Sequence, residues 1–97
     1  MRLIVEAAAR TDIDEAAAWY DAQDIGLGGA FLDALHATLR RIGDNPRIFR
    51  VNKRPLRAAS LKKFPYTIYF TQAEDTVHII AVLHQRRDPG LLDDRLN

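Results

Sequence analysis

The sequence predicts an α+β domain of order β-α-α-β-β-β, a helical hairpin packed on a small antiparallel sheet. Three observations predict it. Two apolar stripes recur at helical spacing across residues 7–42, parted by the glycine-rich "DIGLGG". Three β-branched and aromatic runs then crowd into residues 56–83. Those runs are joined by "KFPY" and "QAED", connections that suit a meander and are too short for a parallel crossover.

Residues 2–6, "RLIVE", read as a short strand. Residues 7–23 read as a helix, with Ala9, Ile13, Ala16, Ala17 and Tyr20 on one side. Thr11 and Asp14 have capping-box spacing, so the first turn has two possible starts. Gly26 offers a stop. The second helix has the clearest stripe: Leu27, Phe31, Ala34, Leu35, Leu39 and Ile42. Gly43-Asp44-Asn45-Pro46 ends it, and the short connection makes the two helices antiparallel neighbours. A loop is expected over about residues 43–54, then strands at Leu56–Lys62, Tyr66–Gln72 and Thr76–Leu83. In the last strand both alternating sets are apolar, which places it centrally with cover on both faces. The tail "DPGLLDDRLN" has room for a helical turn.

At 97 residues the chain reads as a single domain, 1–97, large enough to hold a core without staples. A hydrophobic fraction of 47% against 28% charged excludes a disordered class. With no cysteine there is no disulfide, no thiolate nucleophile and no Cys-type zinc site, which fits a reducing cytoplasm. "MRLIVEAAAR" does not read as a signal peptide, because Glu6 and Arg10 break the apolar run. No run approaches a membrane span.

The net charge of +1 conceals segregation. Residues 1–39 carry two basic and seven acidic side chains. Residues 40–63 carry nine basic (Arg40, Arg41, Arg47, Arg50, Lys53, Arg54, Arg57, Lys62, Lys63) against Asp44 alone. Folding is expected to gather these cations on one region, a surface for acidic protein or phosphate.

The chemical candidates cluster at the end of the last strand, "AVLHQRRDPG". If extended backbone continues past Leu83, then His78, Ile80, Val82, His84 and Arg86 share a face. An RNA-cleaving enzyme needs a base and cations of this kind. A strand-end histidine that bonds a backbone carbonyl is the simpler alternative. His36 and His78 read as structural. No H-x-x-H or H-E-x-x-H spacing exists, so neither a metal nor a cofactor is expected. Trp19 falls about 110° from the centre of its helix's stripe. It either tucks under the neighbouring helix or stands exposed as an anchor.

The runs "DIDEAAAWYDAQ", "GLGGAFLDAL…LRRIGDNPRIF", "LRAASLKKFPYTIYF" and "VHIIAVLHQRRDP" resemble the ParE branch of the RelE/ParE toxin superfamily, the plasmid-stabilisation toxins of type II toxin–antitoxin modules. The resemblance spans about residues 3–89, and "KKFPYTIYF" with "VLHQRRDP" are its most specific parts. It implies a RelE/ParE-like fold and a cytoplasmic growth inhibitor in a hetero-oligomer with its cognate antitoxin. The antitoxin's disordered C-terminal segment would fold on the hairpin, at Trp19, Tyr20, Phe31 and Leu35. DNA would be met only through the antitoxin, and a membrane not at all. DNA gyrase is the implied target, met by Arg57, Lys62, Lys63, His84, Arg86 and Arg87. The superfamily's other branch implies a ribosome-dependent mRNA endonuclease, with His84, Arg86, Arg57 and Lys63 as candidate catalytic residues. That branch's C-terminal tyrosine has no counterpart here, since "GLLDDRLN" holds no aromatic. A non-toxic, complex-forming member is the third possibility.

Overall fold

The place of the first strand is decided by its partner. In the computed structural model, which describes residues 1–88 and 90–96, β1 (Arg2–Val5) lies parallel to the first half of β5 (Thr76–His84). The Glu6 N–H then donates to the Ile79 carbonyl at 3.0 Å, and the chain enters α1 (Ala7–Gln23). The expected fold class holds, and this parallel pair makes the sheet mixed rather than wholly antiparallel. Helix α1 takes the earlier of its two starts. Thr11 lies inside it, donating its hydroxyl to the Ala7 carbonyl at 3.3 Å, and makes no cap.

The turn into α2 (Leu27–Asp44) uses the glycines in two ways. Gly26 sits at φ +91°, a conformation that side chains resist. The Asp21 carboxylate accepts the Gly26 and Gly28 N–H groups at 3.0 and 3.2 Å, capping the otherwise unsatisfied helix start. Gly28 is where the helices touch: a Cβ there would lie 2.5 Å from the Ala17 carbonyl oxygen. Gly28→Ala is expected to cost about 1–3 kcal/mol by overpacking, read as a lower urea midpoint. Gly29→Ala, whose Cβ meets open space, is expected to be neutral or mildly stabilising. Equal midpoints for the two variants would refute this account of the hairpin.

After α2 comes a 3₁₀ turn (Pro46–Ile48) and a two-residue strand, β2 (Arg50–Val51), inside the segment expected to be loop. Then follow β3 (Arg57–Ser60), β4 (Tyr66–Ala73) and β5, giving the sheet order β1-β5-β4-β3-β2. β3 is shorter than expected. Leu56 belongs to the preceding turn, where Asn52 N–H donates to its carbonyl at 2.7 Å. Lys62 and Lys63 lie in the following turn, with Lys63 at φ +71°, rather than on a strand.

Strand β5 contains a bulge that the sequence does not announce. Tyr69 faces Ala81 while Phe70 faces Ile79, leaving Ile80 without a partner on β4. The extra residue exchanges the two faces. Val77, Ile79 and, beyond the bulge, Val82 face the helical hairpin, in a core with Phe31, Leu35, Ile42, Ile68 and Phe70. Ala81 and Leu83 turn to the opposite face and pack with Leu56 and Leu92. His78 and His84 therefore do not share a face, contrary to the expectation from simple alternation. The tail forms more than a turn: α3 (Gly90–Leu96) covers this second face with Leu92.

Among the described residues no strand lies beside the outer edge of β5 beyond Ile79, and two side chains stand in. Asp12 of α1 accepts the Val82 N–H at 2.9 Å. Arg95 of α3 donates to the Ile80 carbonyl at 3.3 Å and clasps the Asp12 carboxylate with both terminal nitrogens. One ion pair thus satisfies the backbone at the bulge and ties both helices to the sheet. Among the described residues no helix is long and apolar enough to cross a membrane.

Candidate functional site

Antiparallel pairing brings the start of β4 beside the end of β5, so Tyr66 faces His84. The end of α1 reaches the same place. Tyr20 stacks on Phe31 at 5.4 Å and meets Phe64 and Tyr66 edge-on, while Trp19 stands against Tyr20 at 5.2 Å. The tip of the hairpin, the β3–β4 turn and the end of β5 therefore form one aromatic end of the molecule. Trp19 is 58% exposed, which decides its role in favour of a surface position.

Three hollows join around this cluster. A groove of about 800 Å³ runs between Leu27, Ala30 and Ala34 of α2 and the turn Lys62–Pro65. It shares Tyr20 and Pro65 with a cup of about 400 Å³ bounded by Trp19, Tyr66 and His84. That cup shares Trp19, Tyr66 and His84 with a slot of about 210 Å³ reaching Asp12, Glu15 and Arg87. The walls differ in charge: acids stand on the helices (Glu15, Asp33), cations on the turns (Lys62, Lys63, Arg87). An apolar floor between opposed charges suits an amphipathic segment.

The structure sorts the sequence candidates. Trp19, Tyr20, Lys62, Lys63, His84 and Arg87 line these adjoining hollows, and exposed Arg86 follows His84 in the chain. Phe31 and Leu35 do not belong: they are 0% and 1% exposed, core residues with no surface to offer a partner. Nor does Arg57. It lies level with Ile79, about 16 Å back along the strands and about 10 Å across from His84. Its guanidinium donates to the Phe49 carbonyl at 2.7 Å, holding the 47–49 segment. The cations of residues 40–63 thus divide between two ends of the sheet instead of forming one patch. The residues named for the antitoxin and for the target meet here, because Trp19 and Arg87 line the same slot.

His84 is held in a way that bears on chemistry. The Arg86 backbone N–H donates to its Nδ1 at 3.0 Å, so the neutral ring carries its proton on Nε2. In that tautomer one nitrogen accepts a backbone hydrogen bond and the other is a donor. Burial holds the Tyr66 phenol above its ordinary value; nearby Tyr20 adds to this and Arg87 opposes it. Burial raises Tyr20 as well. Both phenols stay protonated at neutral pH. The residues that the sequence reading missed are Phe64, which closes the aromatic cluster, and Asp12 with Arg95. The acid and its partner are 83 positions apart, and no local pattern connects them.

Residues 3–89 match the family model described as the ParE toxin of the type II toxin–antitoxin system, parDE. The chain belongs to the ParE toxin family. A solved structure titled "Chromosomal ParDE TA system from P. aeruginosa" superimposes on this ParE-family chain with a TM-score of 0.76. The match covers 87% of this chain and 95% of that one at 14% identity. At that identity the likeness is one of fold. Comparison with curated protein sequences finds no match.

Proposed function

We propose that this ParE-family chain is the growth-inhibiting toxin of its module, acting in the cytoplasm by binding rather than catalysis, with DNA gyrase as target. A cognate antitoxin neutralises it by laying a C-terminal segment, disordered when free, into the aromatic groove. The observation that carries this reading is that the three hollows share their walls, Tyr20 and Pro65 on one side and Trp19, Tyr66 and His84 on the other. A single amphipathic segment seated from Leu27 past Trp19 to His84 also lies over Lys62, Lys63 and Arg87. Neutralisation is then simple occlusion of the cations that meet the target. The occupied Nδ1 of His84 and the absence of an aromatic in residues 90–97 support binding over mRNA cleavage.

Expression without the antitoxin is expected to arrest growth, and co-expression to restore it. Pulse labelling after induction is expected to show DNA synthesis failing before amino-acid incorporation. His84→Gln keeps a polar side chain of similar reach but cannot transfer a proton, so it is expected to retain most toxicity. A loss of about 100-fold or more in that variant, or an early collapse of translation, would establish the endonuclease instead.

A further inference from the structure

The cations at the other end of the sheet have no part in the groove. They lie on consecutive segments: Arg41 in the last turn of α2, Arg47 in the 3₁₀ turn, Arg50 on edge strand β2, and Lys53 and Arg54 in the turn to β3. All five are exposed. Among the described residues Lys53 is the one that pairs with an acid, reaching Asp93 at 3.3 Å. The backbone that presents them is braced from below. Arg57 donates to the Phe49 carbonyl at 2.7 Å and approaches that of Arg47 at 3.5 Å. The Arg41 guanidinium lies over the Phe49 ring, 5.2 Å from its centroid, and Phe49 meets Phe70 edge-on. A notch of about 300 Å³ opens beside them, lined by Val51, Arg54, Pro55, Arg57 and Gln72.

We propose that this arginine edge binds the phosphate backbone of a nucleic-acid duplex directly, without base specificity. Four of the five exposed cations are arginine, whose planar, weakly hydrated guanidinium suits phosphate oxygens better than an ammonium. An edge with several cations and little opposing charge gains counterion release on a polyphosphate. Short edge strands do carry charge to deter strand pairing, but one cation on β2 suffices for that. The remaining arginines, off the strand and with no acid paired to them among the described residues, are unexplained by it. Because this edge lies away from the aromatic groove, it stays open when the groove is filled. A toxin held by its antitoxin then adds its own phosphate contacts to any DNA the complex meets.

The test is fluorescence anisotropy of the full chain with a labelled duplex of about 24 base pairs and arbitrary sequence, across about 50–200 mM salt. Binding is expected to weaken steeply with salt. Arg47→Gln with Arg50→Gln is expected to lower affinity roughly tenfold at the lowest salt and to flatten the logarithmic salt slope by about two. Arg47→Lys with Arg50→Lys is expected to keep most of the binding, which separates charge from folding. Lys62→Gln with Lys63→Gln removes equal charge at the other end and is expected to change affinity less than about twofold. DNA and RNA duplexes run side by side identify which backbone is preferred, and preference for either upholds the phosphate reading. The proposal is overturned by no salt-dependent binding, by equal losses in the two double glutamine variants, or by tighter binding of poly-glutamate of matched charge.

Discussion

Arg95→Ala should lower folding stability by about 3–5 kcal/mol, although the residue lies in the last turn of a short terminal helix. The Asp12 side chain is 10% exposed and that of Arg95 17%, so the pair works largely out of water. Removing the guanidinium leaves a largely buried carboxylate with the Val82 N–H as its remaining partner at that edge and strips the Ile80 carbonyl of its donor. Unpaired groups at a buried edge cost more than the pair itself contributes. The Asp12 hydrogen bond holds the Arg95 guanidinium above its ordinary value despite burial, so the clasp persists across the neutral range. Asp12→Ala should be similarly harmful, and the double variant should cost well below the sum. Urea unfolding of the four proteins measures the coupling. Additive losses would mean that α3 is an independent appendage and that the bulge is held by the strands alone.

What the sequence discloses of this fold is what period and turn chemistry encode. The α2 stripe repeats at helical spacing, and Phe31, Leu35 and Ile42 are indeed buried. The three closely spaced runs become β3, β4 and β5 because short connections leave an antiparallel chain no other course. Ile80 is where this legibility ends. A bulge adds one residue without any special composition, and Ile80 and Ala81 look like ordinary strand residues. Its consequence is nonetheless large, since it sets whether His84 points to the hairpin or to α3. The groove was half legible for a related reason. Trp19 stood off its stripe and the end of β5 carried cations, but their adjacency depends on α1 and β5 crossing, which one-dimensional spacing does not record. The resemblance names Phe31 and Leu35 as antitoxin contacts, yet both lie in the core, because an apolar stripe names a buried face without naming what buries it.

Splitting the two neighbouring arginines should separate the functions of the aromatic end. Trp19→Ala is expected to weaken antitoxin binding by about 2 kcal/mol or more, roughly 30-fold, because an exposed indole seated in a groove is the commonest kind of interface anchor. It should scarcely disturb the fold, since the side chain is mostly exposed and meets Tyr20 edge-on. Arg87 lines the slot on the other side of that indole, so Arg87→Ala should reduce antitoxin affinity and toxicity together. Arg86 is exposed and lines none of the three hollows. Arg86→Ala should therefore lower toxicity while changing antitoxin affinity less than about threefold, a rim charge being worth ~0–1 kcal/mol. Growth assays with graded induction read the first quantity, and calorimetric titration with the antitoxin's C-terminal segment reads the second. Occlusion requires that losses in the two quantities run in parallel for groove residues and diverge for Arg86. If Arg87→Ala abolished toxicity and left antitoxin binding intact, the segment would end short of His84. Neutralisation would then have to act at a distance, through the α1 helix that Trp19 and Asp12 share.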